Sequence, residues 1–244
     1  MPFRSTVILF SVTLFFVTNI YAQDEPDAPK YKNEIGIVLT DLIDASYQLK
    51  YERLLGKHFS VALGVALKGE EGLINLSGLK TEKLRTGGIS YSGYKIVPEV
   101  RYYINNTQQY LMDGFYFGAY LKYSNFSSDL DGTYIDDAGE NFTIAFDADL
   151  NVTSVGFMAG YKLAISKRFS IDFLIAGPGA GFYSFSLKNT EDLPDEFYED
   201  LNEALEQYSI FDFLDGDFRF SSTSGSSKFA LPTFRYGISL GFSF

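Results

Sequence analysis

The sequence has no cysteine, no tryptophan and a single histidine. Without cysteine there is no disulfide, no thiol nucleophile and no thiolate metal site. An exported chain of this kind must then be held by a large core or by closed backbone hydrogen bonding. One histidine leaves a His-based zinc site short of ligands. His58 could in principle serve a Ser-His-Asp triad. It sits in a tight turn beside Lys57, however, and no Gly-x-Ser-x-Gly elbow accompanies it. Basic charge is also scarce, with 20 Lys+Arg against 31 Asp+Glu and a formal net charge of −11. Nucleic-acid binding needs a basic surface and is disfavoured. Calcium-type Asp-x-Asp-x-Asp-Gly spacing is missing. Gly177-Pro178-Gly179-Ala180-Gly181 has neither the lysine nor the helix of a phosphate cradle and reads as a strand bend. No catalytic residue, metal ligand set or cofactor is indicated, and the expectation is a protein that is not an enzyme.

Long apolar runs are lacking too, apart from the first residues. Arg4, the apolar stretch Val7–Val17, and Thr18-Asn19-Ile20-Tyr21-Ala22 before Gln23 have the layout of a cleaved secretory signal peptide over residues 1–22. The run is shorter than the ~20 residues a spanning helix needs. Later apolar runs are broken within a few residues by charge, Gly or Pro. That pattern excludes helical spans but not a barrel, whose strands show lipid only every second residue.

What the chain does have is aromatic residues, 18 Tyr and 24 Phe, arranged with period two. Phe234, Tyr236, Ile238, Leu240, Phe242 and Phe244 alternate with Thr233, Arg235, Gly237, Ser239, Gly241 and Ser243. Such a strand has one oily face and one small or polar face, as a barrel wall requires. The same test predicts eight strands at about 33–41, 46–55, 58–69, 90–104, 114–126, 143–166, 168–187 and 228–244. After a short segment at 23–32, residues 33–244 are expected to form one closed antiparallel all-β barrel of eight transmembrane strands with long extracellular loops. Ile144 to Val152 has the opposite parity to Phe157, which predicts a bulge near Thr153–Val155. Pro98, Pro178 and Pro232 lie inside strands, where bulges or bends are expected.

Connections sort by length. Short turns near Gly56-Lys57 and Lys167-Arg168 fall on one side with 105–113, and long loops at 70–89, 127–142 and 189–227 on the other. The last loop is acidic, with 11 Asp or Glu and 2 Lys or Arg over 188–227. Within it Leu193, Phe197, Leu201, Leu205 and Tyr208 recur at helical spacing behind Pro194, predicting an amphipathic helix at about 194–208. Its stripe either packs on the loop and barrel rim or offers Phe197, Leu201, Leu205 and Tyr208 as a docking surface. Parity sends Lys50, Glu52, Glu99, Arg101, Lys122, Lys162, Asp172 and Arg235 inward. Charges in so narrow a space must pair or be hydrated, so they read either as a salt-bridged plug or as the lining of a gated pore or ligand cavity.

Three segments carry a resemblance. Tyr51-Glu52-Arg53-Leu54-Leu55-Gly56-Lys57 with Phe59-Ser60-Val61, Pro98-Glu99-Val100-Arg101-Tyr102-Tyr103, and the terminal aromatic strand ending in Phe244 resemble small outer-membrane barrels of the OmpA/OmpX type, as common in Bacteroidota. The resemblance covers about 33–244. It implies a bacterial outer-membrane location, contact with outer-membrane lipid, and a terminal signal (Phe244, Phe242, Tyr236) read by the barrel-assembly machinery. Members are mostly structural or adhesive, so the implied role is loop display for envelope integrity, adhesion or a complex with a protein partner. A narrow gated pore or a small-ligand barrel is the alternative.

Overall fold

A meander of antiparallel strands follows the period-two pattern. The computed structural model describes residues 31–70, 80–88, 90–104, 112–189, 193–206 and 224–244. The leader and most of the 23–32 segment lie outside these residues. The strands are β1 (Asn33–Val38), β2 (Ser46–Leu54), β3 (Phe59–Lys68), β4 (Leu84–Thr86), β5 (Ser92–Tyr103), β6 (Gly114–Ile135), β7 (Asn141–Ala164), β8 (Phe169–Asn189) and β9 (Ser224–Ser243), with one helix, α1 (Asp195–Glu206). Each strand except β4 pairs antiparallel with its two neighbours. β9 returns to β1 from Glu34↔Ser243 to Val38↔Ser239, and β6 pairs with β7, so eight strands form a hydrogen-bonded ring. This ring is consistent with an all-β barrel. It satisfies the backbone without disulfides and leaves no open edge where the ring is complete. β4 stands outside the ring, pairing with the far end of β6 at Leu84↔Tyr134.

The lower part of the ring, toward the short turns, has the expected sidedness. Even-numbered β2 and β3 residues are buried and their odd-numbered partners exposed. Phe59, Leu63, Leu67, Phe117, Phe157, Phe234 and Tyr236 all lie outward and exposed.

Three expectations need correction. The 127–142 loop is instead a strand extension. The β6–β7 ladder runs unbroken from Gly114↔Lys162 to Ile135↔Asn141 and turns through 136–140, where Gly139 takes φ +84°. Acidic outward residues such as Asp129, Asp131, Asp147 and Asp149 make this stretch read as loop, while Tyr134, Ile144 and Phe146 are buried inside. The bulge is not at Thr153–Val155 either. The β6–β7 register is constant there, and the slip lies in β8 between Leu174 and Gly177. The parity change along β7 has another cause: even-numbered residues face inward throughout, and the apolar class moves from the outer to the inner face. Finally, Pro98 and Pro232 continue their ladders at Leu63↔Pro98 and Ala180↔Pro232 without a register shift. Only Pro178 follows a slip.

Candidate functional site

The interior of the lower ring is built from the small and polar faces of the strands. At the short-turn end Leu54, Tyr103, Met112 and Tyr116 belong to an apolar cluster with Tyr120 and Met158. Beside it lies a layer of paired charges. Lys162 Nζ donates to Glu34 at 2.7 Å and to Glu52 at 2.6 Å. Arg101 donates to Glu99 at 2.6 Å, to Asp172 at 2.7 Å and to Glu52 at 3.3 Å. Lys50 meets Asp172, and Arg235 donates to Glu99 at 2.9 Å. Hydroxyls complete the carboxylates: Ser60 and Tyr103 donate to Glu52 at 2.6 and 2.7 Å, Tyr116 to Asp172 at 2.8 Å, and Ser170 to Glu34 at 2.7 Å. Glu52 and Lys162 are fully buried. Charges taken this far from water need their lone pairs and donors met; with groups from β1, β2, β3, β5, β6, β7, β8 and β9 this layer pairs every one of its charges, leaving Arg235 Nη1 as a buried donor without a partner.

Backbone design makes room for the layer. A Cβ on Gly160 would stand 2.3 Å from the Tyr116 ring and hydroxyl, and one on Gly241 would stand 2.5 Å from the Glu34 carboxyl carbon. The glycines opposite the large polar side chains are therefore spaces for them. Next to the layer, on the long-loop side, is a cavity of about 290 Å³ lined by Asp41, Lys95, Glu99, Lys122 and Arg235 among others. Lys95 pairs with Asp41 at 2.8 Å. The guanidinium of Arg235 lies over the Tyr120 ring at 4.4 Å, within cation–π range.

Seven of the eight charges expected inside share this network: Lys50, Glu52, Glu99, Arg101, Lys162, Asp172 and Arg235. Lys122 does not join it and lines the cavity. Glu34 is an essential member that the sequence reading passed over. It shares its inward parity with Gly36 and Val38 in β1, near the start of the strand. Tyr103 and Tyr116 were passed over because a tyrosine at an inward position looks like filler until its hydroxyl has a partner. His58 has a structural setting, with Nδ1 2.8 Å from the Tyr103 carbonyl and the ring stacked on Tyr102. Among the described residues no group of His, Cys, Asp and Glu could hold a metal ion. Phe244 and Tyr236 face outward and exposed, and Phe244 N–H donates to Asn33 O at 2.9 Å at the β1–β9 seam.

A second assembly lies on the raised part of the ring. Phe197, Tyr198 and Leu201 of α1 are buried against Leu84, Tyr134, Ile144 and Phe146. Phe197 packs edge-on to Tyr134 and parallel to Phe146, at 5.2 and 5.6 Å. Of the two readings of the stripe, Phe197 and Leu201 follow the packing one and are not free to dock a partner: they are covered by β4, β6 and β7. The Leu205 side chain and Tyr208 lie outside the described residues. Polar ties frame the cluster. Lys83 contacts Asp137 at 2.7 Å and Asp200 at 3.2 Å, and Tyr134 donates to Asp200 at 2.6 Å. Hydrogen bonds to Asp137 and Asp200 raise the Lys83 pKa. Burial, then the Asp200 contact, raises that of Tyr134.

A family model described as "Protein of unknown function (DUF3575)" matches residues 37–202. The chain belongs to the DUF3575 family. A crystal structure of CarO from Acinetobacter baumannii aligns with this DUF3575 chain at 13% identity, covering 91% of this chain and 100% of that one, with a TM-score of 0.42. No curated protein matches. Among the described residues no helix is long and apolar enough to cross a membrane.

Proposed function

We propose that this DUF3575 protein is a non-enzymatic β-barrel of the bacterial outer membrane, of the OmpA/OmpX architectural type. In this reading the lumen is closed by its ion-pair layer, and the raised β4–β6–β7 platform with its helix is displayed outside for envelope integrity, adhesion or complex formation. One observation carries it: the outward face of every strand in the ring bears large exposed apolar side chains, from Ile37 and Leu49 through Phe117 and Phe157 to Phe182 and Leu240. A monomeric protein in water rarely exposes apolar patches beyond a few hundred Å². On β6 the band runs from Phe115 to Tyr123, close to the ~9–11 tilted residues that cross a bilayer. The interior argues for a scaffold, since Glu34, Glu52, Glu99 and Asp172 are each held by a cation and a hydroxyl or a second cation, which ties strands together. Phe244, Phe242 and Tyr236 would then present the signal that the barrel-assembly machinery reads.

Membrane extraction and planar-bilayer recording test this reading. The expected result is release from membranes by detergent but not by alkaline carbonate, a folded form that migrates faster than the boiled form, and no steady conductance. Release without detergent would overturn the membrane assignment. A steady open channel would overturn the plug and favour the pore.

A further inference from the structure

The charges inside the ring can be matched one to one. Asp41 pairs with Lys95, Asp44 with Lys68, Glu99 with Arg235, Asp172 with Lys50, Glu52 with Arg101 and Glu34 with Lys162. Lys122 is left over. It lines the cavity with Lys95 and Arg235 and with Asp41, Asp44, Glu99 and Asp172, each already paired with another cation, and among the described residues it makes no hydrogen bond or ion pair. Arg235 adds a second unmet demand, because its Nη1 is buried without a hydrogen-bond partner. An unpaired ammonium enclosed beside two other cations is costly unless an anion or water reaches it.

The cavity also has a side entrance. Its lining includes Ile43, Phe234 and Tyr236, which are outward and exposed. β1 leaves β9 at Val38↔Ser239 and Leu39 N–H to Ile238 O. From Gly237 toward Ser224, β9 has no strand partner on that side among the described residues. The cavity thus meets the outer surface where apolar residues flank it.

We propose that this cavity is an anion site that takes a phosphate group on Lys122, with Arg235 and Lys95 as its flanking cations. Two lysines and a guanidinium supply the point charges and the fork that phosphate recognition uses. About 290 Å³ suits a headgroup or small metabolite, at the lower end of ligand pockets. The phosphate could be carried by a lipid entering from the side or be free in solution. Only the lipid source rests on the membrane reading above.

The test uses the full chain folded in detergent, with equilibrium dialysis of inorganic phosphate at constant ionic strength. Saturable binding is expected, weakened about tenfold or more by Lys122→Gln, kept by Lys122→Arg, and unaffected by Lys167→Gln in the exposed turn. Without phosphate, Lys122→Gln should unfold no earlier than the parent, because it removes a repelled charge. Vesicles of phosphatidylethanolamine with and without phosphatidic acid then separate the sources. If phosphatidic acid expels bound phosphate, the natural ligand is a lipid phosphate. If it does not, the ligand is a soluble one. Absence of saturable binding to the parent protein, or equal binding by the parent and Lys122→Gln, would overturn the proposal. The first of these needs no variant to fold.

Discussion

The lower and raised parts of the ring are built from the same strands with opposite faces. In the lower part of β6 and β7, Phe115, Phe117, Leu121, Phe157 and Leu163 point out while Tyr116, Lys122 and Lys162 point in. Toward the far end the parity is unchanged but the chemistry reverses. Tyr134, Ile144 and Phe146 are buried inside, and Asn125, Asp129, Asp147, Asp149 and Asn151 are outside. The strand does not know which face is wet; its side chains follow the surroundings. Below, the inside is a narrow polar column and the outside is the band we assign to lipid. Above, the inside is roofed by α1 and the outside is polar and acidic.

That contrast can be broken from either end. The largest effect is expected in the lower column. Arg101 holds Glu52, Glu99 and Asp172 together, so Arg101→Leu leaves carboxylates short of charge and should cost about 3–5 kcal/mol. Equilibrium unfolding in lipid vesicles measures it. Pairing the change with Glu99→Gln restores the charge balance, so the double variant should lose less than the sum of the singles. Strict additivity would show that the two do not share one network.

In the raised part, Phe197→Ala should cost about 3 kcal/mol, the usual penalty for emptying a buried phenylalanine. The loss should be local, with α1 amides exchanging faster while the lower strands keep their protection. A smaller loss is expected at Gly160→Ala, where the added methyl meets Tyr116 and overpacking costs about 1–3 kcal/mol. This one should loosen the lower column alone.

The smallest effect is a pH dependence confined to the raised part. Lys83 and Tyr134 both have their pKa raised in the fold. A raised pKa gives stability that is fully present below the unfolded value, about 10 for both types, and is lost as pH rises through the folded value. Equilibrium unfolding of the helix, read by its circular dichroism, should therefore begin above about pH 10 before the lower ring responds. A helix signal that stays flat across that range, or a ring that unfolds first, would argue against the Lys83–Asp200–Tyr134 tie.

Much of this was legible in sequence because period-two alternation needs no tertiary knowledge. The Phe234–Phe244 register, the inward direction of Glu99 and Arg101, and a helix close to Asp195–Glu206 all follow from spacing. The reversal was not legible. Alternation identifies two faces but does not say which is inside, and the simplest account of a phase change at Val152–Phe157 was a bulge. Only the helix packing on Ile144 and Phe146 shows why the oily face turns inward. The β8 slip at Leu174–Gly177 escaped for the opposite reason, since Leu174 and Ala176 are apolar and hide the change of phase. Glu34 escaped because it is the second residue of a six-residue strand, where alternation has few repeats.

The central claim is that the apolar face of one continuous strand switches sides near Val152–Phe157 without a register slip against β6. Because the chain contains no cysteine, single cysteines can be introduced in turn along β7 (Asn141–Ala164) and spin-labelled, and their access to oxygen and to a water-soluble nickel chelate compared in lipid vesicles. The account predicts that odd-numbered positions from 155 to 163 are lipid-accessible, that odd-numbered positions from 143 to 153 are water-accessible, and that even-numbered positions are shielded at both ends. Lipid access at the even-numbered positions 144 to 152 would restore the bulge and contradict it.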